Sequence, residues 1–154
     1  ISCSLVGSEM CIRDRVNSFR KELKAPEIPF IIGGLGDYLG KTGFGKSCIE
    51  YELVNQELLK YAKNNKNCYF VTGEKLYANP DGIHINAESQ RRFGIRYFEA
   101  YQKKSNIYYP LEDEVETVAV CCKKEHSIVE KRYIALEQFT LGKITLDEVM
   151  KFLK

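Results

Sequence analysis

Along this chain, stretches whose apolar residues recur every three or four positions alternate with short stretches where they run together. Val16, Phe19 and Leu23 mark one face of a helix from about Arg13 to Lys24. Pro26 and Pro29 stop it. Phe30-Ile31-Ile32 follows within 28–35 as an unbroken apolar run bounded by Pro and Gly, the pattern of a strand buried on both faces, and Gly33, Gly34 and Gly36 end it. Tyr51, Val54, Leu58 and Ala62 draw a second helix over 49–64, and Cys68-Tyr69-Phe70-Val71 centres a second buried strand over 67–72. Strand, crossover helix and strand predict a right-handed parallel unit. A loop over 73–86 leads into a third helix over 87–103 with Phe93, Tyr97 and Ala100 on one face. Gly94 beside that face is expected to let the helix approach the sheet closely, having no side chain to hold them apart.

Beyond Pro110 the pattern changes. Leu111, Val115, Val118 and Cys122 have helical spacing, although Thr117 to Cys122 is β-branched enough for a strand. A helix is predicted over 125–141, with Gly142 as its C′ residue and Thr145 with Glu148 as a capping box opening a last short helix. Residues 111–154 therefore read as a small helical appendage, which either packs on the body or presents a partner surface. The fold class is α/β: a parallel sheet in 16–105, then the helical appendage.

With 154 residues and a formal net charge of +2, the chain has the size and balance of one ordinary globular core. Its Lys and Arg are interspersed with Asp and Glu, so neither nucleic acid nor an anionic membrane surface is expected as a partner. The six cysteines form no Cys-x-x-Cys pair, and His84 and His126 stand at no zinc-ligand spacing from them, so no metal and no cofactor are expected. With no run of 18 apolar residues and no signal core, reduced thiols in a cytoplasmic protein are the expectation. Residues 1–15 do not begin with Met, fit no targeting pattern and resemble translated adapter sequence. They are expected to be foreign and to lie outside the fold, with the true amino terminus absent.

Two stretches carry candidate chemistry. Asp81-Gly82-Ile83-His84-Ile85-Asn86 lies between the Asn79-Pro80 turn and the third helix, beyond the carboxyl end of a parallel strand, the edge where open α/β sheets place their sites. A carboxylate and an imidazole three residues apart suit the orienter and general base of an ester hydrolase: the carboxylate fixes the tautomer and stabilises the imidazolium. The plainer reading is a turn dipeptide followed by a packing histidine. Asn86 is expected to cap the helix. The other stretch, Gly40 to Ser47, satisfies Gly-x-x-x-x-Gly-Lys-Ser, a phosphate-binding loop in which Lys46 would reach phosphates and Ser47 a magnesium ion. Against it, Gly33 to Leu39 separate it from the preceding strand, and no later strand ends in an Asp.

The blocks from Ile28 to Gly40, Val54-Asn55, Asn79 to Asn86, and Gly94-Ile95-Arg96-Tyr97-Phe98 resemble the carboxyl-terminal part of sialate O-acetylesterase-like proteins, carbohydrate acetyl esterases among the SGNH hydrolases. The likeness covers roughly 16–103. It implies a partial doubly wound, flavodoxin-like sheet, an O-acetylated carbohydrate as substrate, and an acyl-serine mechanism with Asp81 as orienter and His84 as base. The family's Gly-Gln-Ser-Asn block with the nucleophile, and its Gln-Gly-Glu block, do not occur in the sequence. Ser47 and Ser89 lie in other contexts, and no substrate-binding residue is assigned. The resemblance therefore implies a fragment of a serine carbohydrate esterase; a P-loop nucleotide-binding protein is the alternative.

Overall fold

Two parallel strands carry the first part of the chain, and helices cover both of their faces. The computed structural model describes residues 5–123 and 125–153. In order these form α1 (Leu5–Glu22), β1 (Phe30–Gly36), a 3₁₀ turn (Gly43–Ser47), α2 (Tyr51–Asn64), β2 (Cys68–Gly73), α3 (Ala87–Lys103), α4 (Glu114–Cys121), α5 (Ile128–Thr140) and α6 (Leu146–Leu153). β1 pairs with β2 from Phe30 opposite Cys68 to Gly33 opposite Val71, and the register shifts before Gly36 meets Gly73. On the far side of β2, Ile107 adds a single parallel bridge to Val71, with Thr72 N donating to Ile107 O and Ile107 N to Phe70 O.

Alternation along the strands divides the core in two, because successive side chains point to opposite faces. Cys68 and Phe70, with Phe30 and Ile32, pack on Val16, Tyr61 and Ala62 of α1 and α2. Val71, with Ile31 and Tyr69, packs on Ala100, Phe93 and Tyr97 of α3 and on Ile107. The expectation of strands covered on both faces thus holds for β2, five of whose six residues are buried. In β1 the apolar run Phe30-Ile31-Ile32 is only half-buried, since its outer edge pairs with no other strand among the described residues.

Helix α1 begins earlier than its apolar face suggested. Ile12, one turn before Val16, joins the same cluster, so part of the stretch set apart by sequence packs with the body. At its other end Arg20 reaches the carbonyls of Ile28, Lys66 and Asn67 at 3.1–3.2 Å, tying the helix to the starts of both strands.

Two further expectations change. Gly94 is exposed, and a Cβ built on it meets nothing within 4 Å, so it does not admit the sheet. The close approach is at Gly33, where a Cβ would stand 2.0 Å from the Tyr97 hydroxyl and 2.7 Å from the Phe93 ring. The choice left open at 117–122 falls to helix. Glu114, in the first turn of α4, is buried and bonded to α3, and Val118 one turn on is buried too, which fixes a helical period where β-branched propensity was ambiguous.

The chain divides into two compact units, the first reaching Val118 and the second starting at Ala119. In the second, Ser127 and Glu130 form a capping box at the start of α5. That helix closes in a Schellman arrangement, with Gly142 at φ 67°, its N–H on Phe139 O and that of Lys143 on Gln138 O. Thr145 and Glu148 bond reciprocally to open α6, as expected. Among the described residues of this unit, Ala135 of α5 and Val149 of α6 are the buried apolar ones, and Arg132 Nε donates to Phe152 O at 2.9 Å. Among the described residues no helix is long and apolar enough to cross a membrane.

Candidate active site

The loop after β2 is built by backbone bonds before any side chain acts. Asn79-Pro80-Asp81-Gly82 closes a turn, Gly82 N donating to Asn79 O at 2.9 Å, with Gly82 at φ 76°, a conformation glycine adopts freely. Asn79 N to His84 O and Asn86 N to Tyr77 O then zip its two sides together, with Ala78 and Ile85 as an antiparallel bridge. The loop runs straight into α3, where the Asn86 side chain accepts from Ser89 N at 2.8 Å, the cap expected from sequence. The buried Ser89 hydroxyl accepts from Tyr77 N in turn.

Within this frame Asp81 and His84 meet. His84 Nδ1 lies 2.8 Å from Asp81 Oδ2, while Asp81 Oδ1 accepts the backbone N–H groups of Ile83 and His84, each at 3.0 Å. Those two readings of the aspartate, turn residue and imidazole partner, are therefore both realised, one by each oxygen. The Ile83 N–H, the His84 ring and the His84 N–H hold the Asp81 carboxyl well below the ordinary aspartate value, at about 2. The carboxylate is thus ionised throughout the range in which an imidazole titrates. The His84 side chain is 77% exposed, and Nε2 has no partner among the described residues. A ring whose Nδ1 is held by a carboxylate and whose Nε2 is open can accept a proton at Nε2 and be stabilised as the cation.

The glycine-rich stretch does not form a phosphate cradle at a helix start. Gly43–Ser47 is a 3₁₀ turn, and α2 begins only at Tyr51. Ser47 Oγ donates back to Phe44 O at 3.3 Å, and Gly40 N and Cys48 N both donate to Gly45 O. Gly43 and Gly45 instead face the Asp81–Gly82 backbone, and Phe44 N donates to Asp81 O at 2.7 Å. The sequence pattern was legible, but the partner of the loop is 36 or more residues away in the chain and cannot be read from spacing.

Side chains from the segment after β1 and from α2, α3 and α4 hold the surroundings. Tyr38, just past β1, donates its hydroxyl to Ile83 O at 3.3 Å, and burial followed by the Asp81 charge raises its pKa. Asn55 of α2 bonds both N and O of Leu35, closing the last turn of β1 with one amide. Arg96, fully buried, donates Nη1 to the carbonyls of Thr72 and Glu74, where β2 gives way to the loop. Its other nitrogens reach both carboxylate oxygens of Glu114 at 2.6 Å, and Arg92 adds bonds of 2.6 and 2.9 Å. Burial pushes the Glu114 carboxyl up, but hydrogen bonds from Arg96 and Arg92 outweigh it and leave the group below its ordinary value. Arg96 stood inside a quoted motif with no role attached, and Glu114 was passed over. An arginine in the middle of an apolar helix face was the available signal, since such a residue stays buried only when paired.

A groove of about 640 Å³ opens beside the loop, with Ile83, Tyr38, Leu39, Ile49 and Tyr51 among its walls. Among the described residues no three His, Cys, Asp or Glu side chains gather as a metal site.

Comparison with curated proteins returned no match. Comparison with family models matches residues 10–103 to the carbohydrate esterases described as sialic acid-specific acetylesterase. That span contains both strands, the crossover helix, the Asp81–His84 loop and all of α3. The chain belongs to the sialic acid-specific acetylesterase family of carbohydrate esterases.

Proposed function

We propose that Asp81 and His84 are the orienter and general base of a serine carbohydrate acetylesterase whose nucleophile lies in sequence beyond these 154 residues. The observation that carries the reading is the 2.8 Å contact at Nδ1 with Nε2 left open. In this mechanism Nε2 takes the proton of an attacking serine hydroxyl, and the Asp81 carboxylate stabilises the imidazolium that results. The same proton passes to the departing sugar oxygen as the acyl-serine forms. A water deprotonated at Nε2 then releases acetate.

Three of the described serines are engaged within the fold. Ser47 bonds its own turn, Ser89 is buried under Tyr77 N, and Ser127 caps α5. No Gly-Gln-Ser-Asn block accompanies them. The parallel pair with helices on both faces, and the loop at its carboxyl edge, support a portion of a doubly wound, flavodoxin-like sheet. An O-acetylated sugar is the substrate class the family supplies.

The test is hydrolysis of an O-acetylated sugar by a polypeptide in which an in-frame Gly-Gln-Ser-Asn block precedes this sequence. His84→Ala is expected to lower kcat by about 10⁴-fold or more. An unchanged rate in that variant removes His84 from the chemistry.

A further inference from the structure

We propose that the glycine-rich turn at 42–45 is a clamp that sets the Asp81–His84 pair, with Gly45 as its positioning residue. The two loops approach closely through their backbones. A Cβ on Gly45 would stand 1.9 Å from Gly82 O, one on Gly43 2.1 Å from Asp81 O, and one on Gly82 2.1 Å from Thr42 O. Those neighbours are main-chain atoms, which cannot swing aside as the end of a long side chain can. The Phe44 side chain between them is 79% exposed, so side-chain packing does not supply the contact. What does is the bond from Phe44 N to Asp81 O at 2.7 Å, seated where no Cβ intervenes.

The clamp acts on one peptide. The Asp81–Gly82 unit stands between the carboxylate and the two N–H groups that Oδ1 accepts, those of Ile83 and His84. Its carbonyl, that of Asp81, accepts from Phe44 N, and the next carbonyl along, that of Gly82, faces Gly45. Turning this peptide away from Phe44 reorients the Ile83 and His84 N–H groups relative to Oδ1 and moves the ring that Oδ2 meets. Gly43 and Gly82 also have positive φ, so a side chain there is strained whatever the space. Gly45 has no such φ, and alanine at that position is opposed by the Gly82 carbonyl alone. Gly45, the second glycine of the phosphate-loop pattern, is thus accounted for by the loop it holds.

The role assigned to Gly45 rests on reading Asp81 and His84 as the base limb of the esterase, but its test does not. The 154-residue protein, labelled with ¹⁵N in histidine and ¹³C in the aspartate carboxyl, is followed by NMR as wild type, G45A, F44P and G94A. His126 serves as the internal reference ring. Wild type should show His84 as the Nδ1–H tautomer and Asp81 titrating at about 2. In G45A the Nδ1–H signal should be lost and the Asp81 midpoint should move up toward 3.8. G94A, which meets only open space, should change neither. Retention of both signatures in G45A overturns the proposal. Should G45A lose its helical circular dichroism, F44P decides: proline suits the φ of a 3₁₀ turn, removes the N–H given to Asp81 and sets its ring carbon where that hydrogen pointed, so the Asp81 carbonyl must move away. The same two losses support the clamp, and wild-type values overturn it. Failure here leaves the His84→Ala hydrolysis result intact, and failure there leaves this one intact.

Discussion

His84 Nδ1 stands 2.8 Å from Asp81 Oδ2, and the backbone N–H of His84 itself bonds the other oxygen of the same carboxylate. One aspartate therefore fixes both the ring and the main chain of one histidine. Asp81→Asn should keep the turn, since an amide oxygen still accepts, while its NH₂ favours the tautomer with the proton on Nε2. In a protein that carries the nucleophile, kcat should fall by about 10⁴-fold with the helical content unchanged. Long-range ¹H–¹⁵N spectra of His84 check the tautomer. Because the Asp81 carboxyl is held at about 2, the aspartate should stay ionised between pH 7 and 4, so any loss of rate in that range should not follow its protonation.

The 154-residue chain by itself should hydrolyse 4-nitrophenyl acetate no faster than its His84→Ala variant. An imidazole without an acyl-accepting serine lacks the covalent route. A His84-dependent excess that a fluorophosphonate abolishes would show that a serine in this sequence is the nucleophile.

Glu114→Ala should be the most damaging single change in the first unit. It leaves Arg96, with no exposed surface, without its carboxylate, and breaking one side of a buried pair costs about 3–5 kcal/mol. The midpoint of urea unfolding should drop accordingly. Replacing Arg92, Arg96 and Glu114 together by apolar residues of similar volume should lose less, since no buried charge then stands alone.

Acid should act on the same cluster. Folded Glu114 binds its proton less tightly than the unfolded chain does, having been lowered from 4.5. Its stabilisation is therefore complete above the unfolded value and is lost as pH falls through the lower native one. Urea titrations at pH 6 and pH 3.5 should show that Glu114→Gln narrows the difference in stability between those two pH values.

Magnesium and ATP should give no binding isotherm, and Lys46→Ala should leave that result unchanged. The 3₁₀ turn uses its own carbonyls and the Asp81 carbonyl to occupy donors that a phosphate would need. A magnesium-dependent isotherm lost in Lys46→Ala would restore the nucleotide reading.

The strongly periodic elements were legible in the residues. Both strands, α2 and α3 arise where apolar runs and stripes predicted them, and Asn86, Gly142 and the Thr145–Glu148 pair cap helices as their chemistry requires. These features are local: side chain and backbone partner lie within a few residues. The misreadings were of long-range matters. Gly94 was assigned the close approach that Gly33 makes, because helical spacing alone does not say how the helix is rotated against the sheet. Glu114 was assigned to an appendage although it bonds α3, a contact 18 and 22 residues away in sequence.

Sequence by itself determined the local vocabulary of this protein: where backbone donors are capped, where apolar faces repeat, and that Asp81 and His84 sit three residues apart at the mouth of a helix. Tertiary structure decided what those pieces meet. The glycines of 43–45 face Gly82 and Asp81, Arg96 closes on Glu114 and the end of β2, and the outer edge of β1 pairs with no strand among the described residues. The division has one physical reason. Capping and periodicity are satisfied within a turn or two of chain, whereas close backbone approach and burial of charge depend on atoms that only folding brings together.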